Sequence, residues 1–398
     1  MKPKLLREVE PGKLYSASAL RAARHFWTVS EGAGAIDLAD ELQDKPEVLV
    51  VAVLAASGKA MGIVPRDRLF ALLSKPFGRE ILGRMRVSEL VEEAPVFDAH
   101  AGIFTVAQEA LGGEVGARAP FHILTDGDGL FRGMLSSQDL ADYLSRITQE
   151  DIDLAGKLQD RLQAGNEAIG GERWSFEAWS RAAKGVGGDF YFTRRLADGS
   201  AFFALCDVSG KGVAASLVVA MVWGMLRMYD FRGGMKSLIA RLNESIVGTF
   251  HLEKYLTGYF AIFYPEKNEL LVADMGHSHC LLFRGTRVLT PRSRQSNLPI
   301  GVETNIDPAV VRWRLEPGDG LFVFSDGLTE QEDEAGAEFG EGRLIDAVRR
   351  NKGLGVPLSD RLSAEVDAYR TRTPQQDDMS FVFLSLRGQG QAPRSPRD

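Results

Sequence analysis

Asp207-Val208-Ser209-Gly210-Lys211-Gly212-Val213-Ala214-Ala215-Ser216-Leu217 is the segment on which the reading of this chain turns. It sets an aspartate and a glycine-rich loop directly before an apolar stretch whose spacing predicts a helix over 213–229. A carboxylate at a strand end can face a cleft, and neighbouring glycines let the backbone come close or present a carbonyl. The segment Ser209-Gly210-Lys211-Gly212 is not a P-loop, because the Gly-x-x-x-x-Gly-Lys-Ser/Thr spacing is missing.

Three other segments repeat the setting. Asp189 stands in Val186-Gly187-Gly188-Asp189-Phe190-Tyr191, Asp326 in Phe324-Ser325-Asp326-Gly327-Leu328-Thr329-Glu330, and Asp377 and Asp378 in Gln376-Asp377-Asp378-Met379-Ser380. Any one Asp-Gly pair alone is an ordinary turn, as at Asp126-Gly127 and Asp198-Gly199. Gathered in one cleft, each close carboxylate pair repels by about 4 kcal/mol at an effective dielectric of ~20. Hard divalent cations relieve that repulsion and prefer oxygen ligands. Two of them ~3.5–4 Å apart can share and activate one water.

Working outward, the chain from Trp174 is strand-rich, with helices expected over 213–229, 235–250, 342–351 and 358–369. Strands are expected over 258–264, 269–274, 279–284, 310–315, 320–324 and 379–386. Towards the N-terminus, a strand over 48–55, a turn, a short strand from Gly62 and a helix over 66–73 form one pattern. Strands at 121–125 and 130–135 and a helix over 138–146 form a second, so 48–73 and 121–144 read as an internal repeat. Between the halves, Ile147, Leu154, Leu158 and Leu162 make an apolar helical stripe interrupted by Asp151 and ended by Gly165, Gly170 and Gly171. It is either a short dimerising coiled coil or a connector packed on a neighbour. The domain bounds are 15–145, a helical linker at 146–168, and 172–387. The tail at 388–398 is expected to be disordered from its Gly, Gln, Pro and Arg content.

With 54 acidic and 47 basic residues the chain carries a net charge of −7, which speaks against nucleic acid as the main partner. Cys206 and Cys280 both sit in apolar surroundings and read as buried free thiols of a reducing compartment. No signal-peptide core opens the chain and no apolar run approaches the ~20 residues of a membrane span, so a cytoplasmic location is expected.

The ordered set of Asp189, Asp207, Asp274-Met275-Gly276-His277-Ser278-His279, Asp326 and Asp377-Asp378 segments over 172–387 resembles the PPM-type protein phosphatases, in their SpoIIE/RsbU-like bacterial branch. The resemblance implies an α+β fold: an α-β-β-α sandwich of two antiparallel sheets flanked by helices. It implies two Mn²⁺ or Mg²⁺ ions, with Asp207 bridging both and the Val208 carbonyl reaching one. Asp189 would bind on one side, Asp326 and Asp377 on the other, and Asp378 would be a further ligand or stand behind the ligands. The implied reaction is hydrolysis of phosphoserine or phosphothreonine by the activated water. The implied substrate is a phosphorylated partner protein, an anti-sigma-factor antagonist in many relatives.

Two positions depart from the family. Phe192 stands where a second Asp is frequent, and His277-Ser278-His279-Cys280 replaces the usual His-x-Pro-Pro. His277 is open to two readings, a phosphate-side acid or a hydrogen-bonded structural group.

The N-terminal half resembles a pair of CBS modules, which implies an α/β regulatory domain and a homodimer through it and the linker helix. Gly62-Ile63-Val64-Pro65-Arg66-Asp67 lacks the signature's hydroxyl. Gly133-Met134-Leu135-Ser136-Ser137-Gln138-Asp139 keeps it, so Ser136 and Asp139 would hold an adenine nucleotide. Alternatively, Asp67 and Asp139 cap the helices that follow. Two other functions stay in view: a catalytically weak or inactive phosphatase-like binding module, and a diguanylate cyclase suggested by Gly187-Gly188-Asp189-Phe190. A Cys206 phosphatase is poorly supported, since Gly212 stands where a phosphate-cradling Arg is needed.

Overall fold

The computed structural model describes residues 4–10, 18–112, 120–166, 169–291, 296–352 and 357–387, so the tail expectation at 388–398 lies outside the described residues. The chain forms two compact units, residues 1–149 and 150–398.

In the first unit, β1 (Arg7–Glu8) pairs with β2 (Trp27–Ser30), which leads through α1 (Ala35–Gln43), β3 (Val50–Leu54) and β4 (Ala60–Pro65) to α2 (Arg66–Leu73) and α3 (Gly78–Leu82). The second half runs β5 (Val96–Asp98), α4 (Ile103–Gly112), β6 (Phe121–Thr125), β7 (Phe131–Ser136) and the start of α5 (Ser137–Ala164), whose residues from 150 on belong to the second unit. In both halves the strand before the first helix (β2, β5) pairs parallel with the next (β3, β6), which pairs antiparallel with the one after it (β4, β7). The repeat is therefore real and longer than 48–73 and 121–144: each copy is a complete β-α-β-β-α unit. Val50, Ala52 and Ile63 pack against Ile123, Phe131 and Met134 to join the two.

Ser136 and Asp139 take the capping role. Asp139 Oδ2 accepts from Ser136 N–H at 2.7 Å and Ser136 Oγ–H at 2.6 Å, while Asp139 N–H donates back to Ser136 Oγ at 3.0 Å. His25 Nε2 lies 3.2 Å from the same Oδ2. The structure also merges two expected elements, since 138–146 and 147–163 belong to one helix, α5. Leu154 and Leu158 of the apolar stripe are exposed on it.

In the second unit, β8 (Trp174–Arg181), β9 (Phe190–Arg195) and β10 (Ala201–Val208) precede α6 (Val213–Met228) and α7 (Gly234–Phe250). There follow β11 (Leu256–Tyr264), β12 (Glu269–Met275), β13 (Cys280–Arg284), β14 (Arg287–Leu289), β15 (Val311–Arg314) and β16 (Gly320–Phe324). The unit closes with α8 (Gly327–Glu330), α9 (Gly340–Asn351), α10 (Leu358–Arg370) and β17 (Met379–Leu386). Two five-stranded sheets result, ordered β15-β12-β11-β10-β9 and β14-β13-β16-β17-β8, with every pairing antiparallel.

Alternation along the strands explains the layers. Ala201, Phe203 and Leu205 of β10 meet Val382 and Leu384 of β17 between the sheets. Phe202, Ala204 and Cys206 face outward under α6 and α7, and Phe381 and Phe383 face outward under α9 and α10. Both faces are covered, so these strands read as continuous apolar runs. No single helix among the described residues is long and apolar enough to cross a membrane. The one bent pair that approaches such a length, α6 with the helix after it, turns by 86° and lays its apolar side on the sheet.

Candidate metal centre

Asp207 is the next-to-last residue of β10, on the strand face of Phe203 and Leu205 that looks into the sandwich. At this end the second sheet contributes Asp326, just after β16, and Asp377 and Asp378, just before β17. Asp189 enters from the loop before β9. The expected aspartates thus come together through pairing partners far apart in sequence.

The charges identify the cluster. Burial, and then the charges of Asp326, Asp377 and Asp378, push the Asp207 carboxyl up to about 7. Asp189 is 4% exposed, and burial together with the charge of Asp207 drives its carboxyl well above the usual range. Ser380, on the inward face of β17, donates its Oγ–H to Asp189 Oδ2 at 2.7 Å. Lys211 Nζ pairs with Asp377 Oδ2 at 2.7 Å.

Asp378 stands behind this group. Its Oδ1 accepts from Ala183 N–H at 2.8 Å and its Oδ2 from Gly188 N–H at 2.6 Å, so both oxygens hold the Asp189 loop. Glycines make the close approach possible. A Cβ at Gly327 would collide with the Asp378 carbonyl, and one at Gly188 would stand 2.7 Å from the Val208 carbonyl oxygen and 3.5 Å from Asp207 Oδ1.

The donor set fits hard divalent cations: repelling carboxylates, the Val208 carbonyl close by, and a cleft left clear by Gly188. Among the described residues, no three His, Cys, Asp or Glu side chains already surround one point closely enough to hold an ion.

The other expected residues separate from the cluster. His277 is buried; its Nε2–H donates to the Phe324 carbonyl at 2.9 Å, and burial lowers its pKa to about 3. That is the structural reading, not the acid. Phe192 is fully buried beside Phe202 and Trp223, so no carboxylate stands at that position. The Cys206 thiol is buried and pushed well above its ordinary value, first by burial and then by Asp207, which rules it out as a nucleophile. Sequence reading left Ser380 and Lys211 without roles, although both lie inside the aspartate segments.

Residues 197–387 match the family described as Stage II sporulation protein E (SpoIIE). Asp189 lies upstream of the matched span, so its place rests on the geometry above. The phosphoserine phosphatase RsbU of Bacillus subtilis (strain 168) is 26% identical over 197 residues, covering 48% of this chain and 58% of RsbU. Stage II sporulation protein E of the same organism is 28% identical over 216 residues, covering 52% of this chain and 25% of that protein. In fold, the SiaA-PP2C domain of Pseudomonas aeruginosa superposes with a TM-score of 0.52 at 19% identity, over 61% of this chain and 98% of that domain. The chain spans 58% or less of the length of these two curated relatives. Sandwich, aspartate order and family match agree: the C-terminal unit has the PP2C fold and resembles the serine/threonine phosphatase domains of the SpoIIE type.

Proposed function

We propose that this chain removes phosphate from phosphoserine or phosphothreonine on a partner protein, an anti-sigma-factor antagonist being the expected substrate. The observation that carries the proposal is the placing of Asp189, Asp207, Asp326 and Asp377 at one end of the two sheets, where burial of Asp207 and then the charges of Asp326, Asp377 and Asp378 push its carboxyl up to about 7. Asp189, Asp207, Asp326, Asp377 and the Val208 carbonyl would hold two Mn²⁺ or Mg²⁺ ions. Bound there, such ions neutralise the carboxylates and supply Lewis-acid activation of water.

The chain's own residues set up the rest. Asp207 is central, flanked from one sheet by Asp189 and from the other by Asp326 and Asp377. Ser380 orients Asp189 through its hydrogen bond, and Asp378 fixes the loop that carries Asp189. Lys211 puts a positive charge beside Asp377 at the cleft, where an incoming phosphate monoester brings negative charge. Gly188 keeps side-chain atoms out of the space between Asp207 and the Val208 carbonyl.

The paired β-α-β-β-α units support a CBS-like regulatory role for residues 1–149, exerted through α5, with homodimerisation through this unit and the helix. The hydrogen bonds of Ser136 and Asp139 favour the cap over a nucleotide contact. The net charge of −7 favours a protein partner over nucleic acid.

The test is hydrolysis of an aryl phosphate with Mn²⁺, with Mg²⁺ and with EDTA. Metal-dependent release that disappears in Asp207→Asn is expected. Release that persists in EDTA or in D207N would overturn the metal assignment. Unchanged rates after removal of residues 1–145 would overturn the regulatory part.

A further inference from the structure

Gln159 lies on α5, 28 residues before Gly187, and its side-chain amide pairs with both backbone polar groups of that glycine. Nε2–H donates to the Gly187 carbonyl at 2.9 Å, and Oε1 accepts from Gly187 N–H at 3.0 Å. The same helix meets the loop at two further points. Gly156 is buried, and a Cβ there would collide with the Gly185 carbonyl. Ile152 lies close enough to Gly185 that a Cβ on that glycine would stand 3.0 Å from its Cγ2.

Asp378 grips the loop independently, through Ala183 N–H and Gly188 N–H. Residues 183–188 are thus held by α5 and by Asp378, and Asp189 is the first side chain beyond the grip. A cavity of about 150 Å³, lined in part by Gln159, Gln163, Ser180, Gly185 and Asp189, lies beside the clasp. The loop has room to shift if the amide is lost.

We infer that Gln159 is a positioning residue for the metal centre: its amide fixes the loop at Gly187, and thereby the Asp189 carboxylate, where a divalent cation is bound. The inference rests on the metal-dependent reading above and assigns α5 a direct part in it. A side chain that orients a ligand without touching the ion typically changes metal affinity by about 10–100-fold when removed. Loss of a clasp with merely structural value would instead lower stability and leave the affinity of the folded protein alone.

The experiment is calorimetric titration of the full chain with Mn²⁺, paired with thermal unfolding of the metal-free protein. Gln159→Leu keeps the side chain's bulk and removes both hydrogen bonds; its Mn²⁺ affinity is expected to fall about tenfold. Gly156→Ala keeps both hydrogen-bonding groups but drives a methyl against the Gly185 carbonyl, and should also weaken Mn²⁺ binding while favouring the helix. Wild-type uptake that D207N abolishes, but Q159L and G156A leave within twofold, overturns this inference alone. Absence of Mn²⁺ uptake by the wild-type chain overturns it together with the proposed function.

Discussion

Lys211 Nζ lies 2.7 Å from Asp377 Oδ2 and 3.1 Å from the Gln376 carbonyl oxygen, tying the loop after β10 in one sheet to the loop before β17 in the other. The two side chains are 44% and 34% exposed, so the pair contributes only ~0.2–1 kcal/mol to stability. Its importance is positional, because it places a cation on a carboxylate of the proposed metal centre. Replacing Lys211 with Gln should let Mn²⁺ bind about two- to fivefold more tightly in a low-salt titration. Unchanged affinity would mean that the ammonium does not compete with the metal.

The Asp207 carboxyl sets a pH dependence whose sign is fixed. In the folded chain it titrates near 7, against 3.8 without the fold. Between those values the folded state keeps a proton that the unfolded state has lost, so stability falls as pH rises from about 4 to about 7 and stays low above. The metal-free protein should therefore melt at lower temperature at pH 8 than at pH 5. Asp207→Asn should flatten that slope, and saturating Mn²⁺ should offset the loss. An unchanged slope in D207N would assign the proton elsewhere.

Ser380 gives Asp189 a side-chain hydrogen bond at 2.7 Å, and its N–H donates to Ser325 Oγ at 2.9 Å. Ser380→Ala removes the first bond and keeps the second. A loss of ~1–3 kcal/mol in stability is expected, since a buried carboxylate forfeits a donor. Mn²⁺ affinity should fall with it. Chemical denaturation and metal titration of the same variant check both parts, and a stable variant with normal affinity would deny Ser380 its role.

His277 should show no titration between pH 5 and 9. Its pKa is lowered to about 3 by burial, and its Nε2–H is already donated to the Phe324 carbonyl. The pH–rate profile of His277→Gln should keep the wild-type shape, while stability drops by ~1–3 kcal/mol. An inflection near pH 6.5 that vanishes in H277Q would restore the acid reading.

The segments that carry the site were legible because their chemistry is local. An aspartate before Val208-Ser209-Gly210, or after Phe324-Ser325, is visible without coordinates. So were α6 and α7, whose expected bounds differ from the observed ones by a single residue at one end each. The repeat was recognised only in its second halves, because β2 and β5 are four and three residues long and offer little periodicity. The apolar stripe of the linker says nothing of the clasp: close approach to the loop uses buried Gly156 and polar Gln159, while Leu154 and Leu158 are exposed.

By itself, then, the sequence determined which residues could carry the chemistry, because residue type and strand-end placement are local properties. Tertiary structure alone decided how those residues divide the work. Asp377 is left facing the cleft beside Lys211, whereas its neighbour Asp378 is turned inward and satisfied by backbone N–H groups of a loop about 190 residues away. Two adjacent aspartates look alike as letters. They differ only in what the folded backbone brings to each.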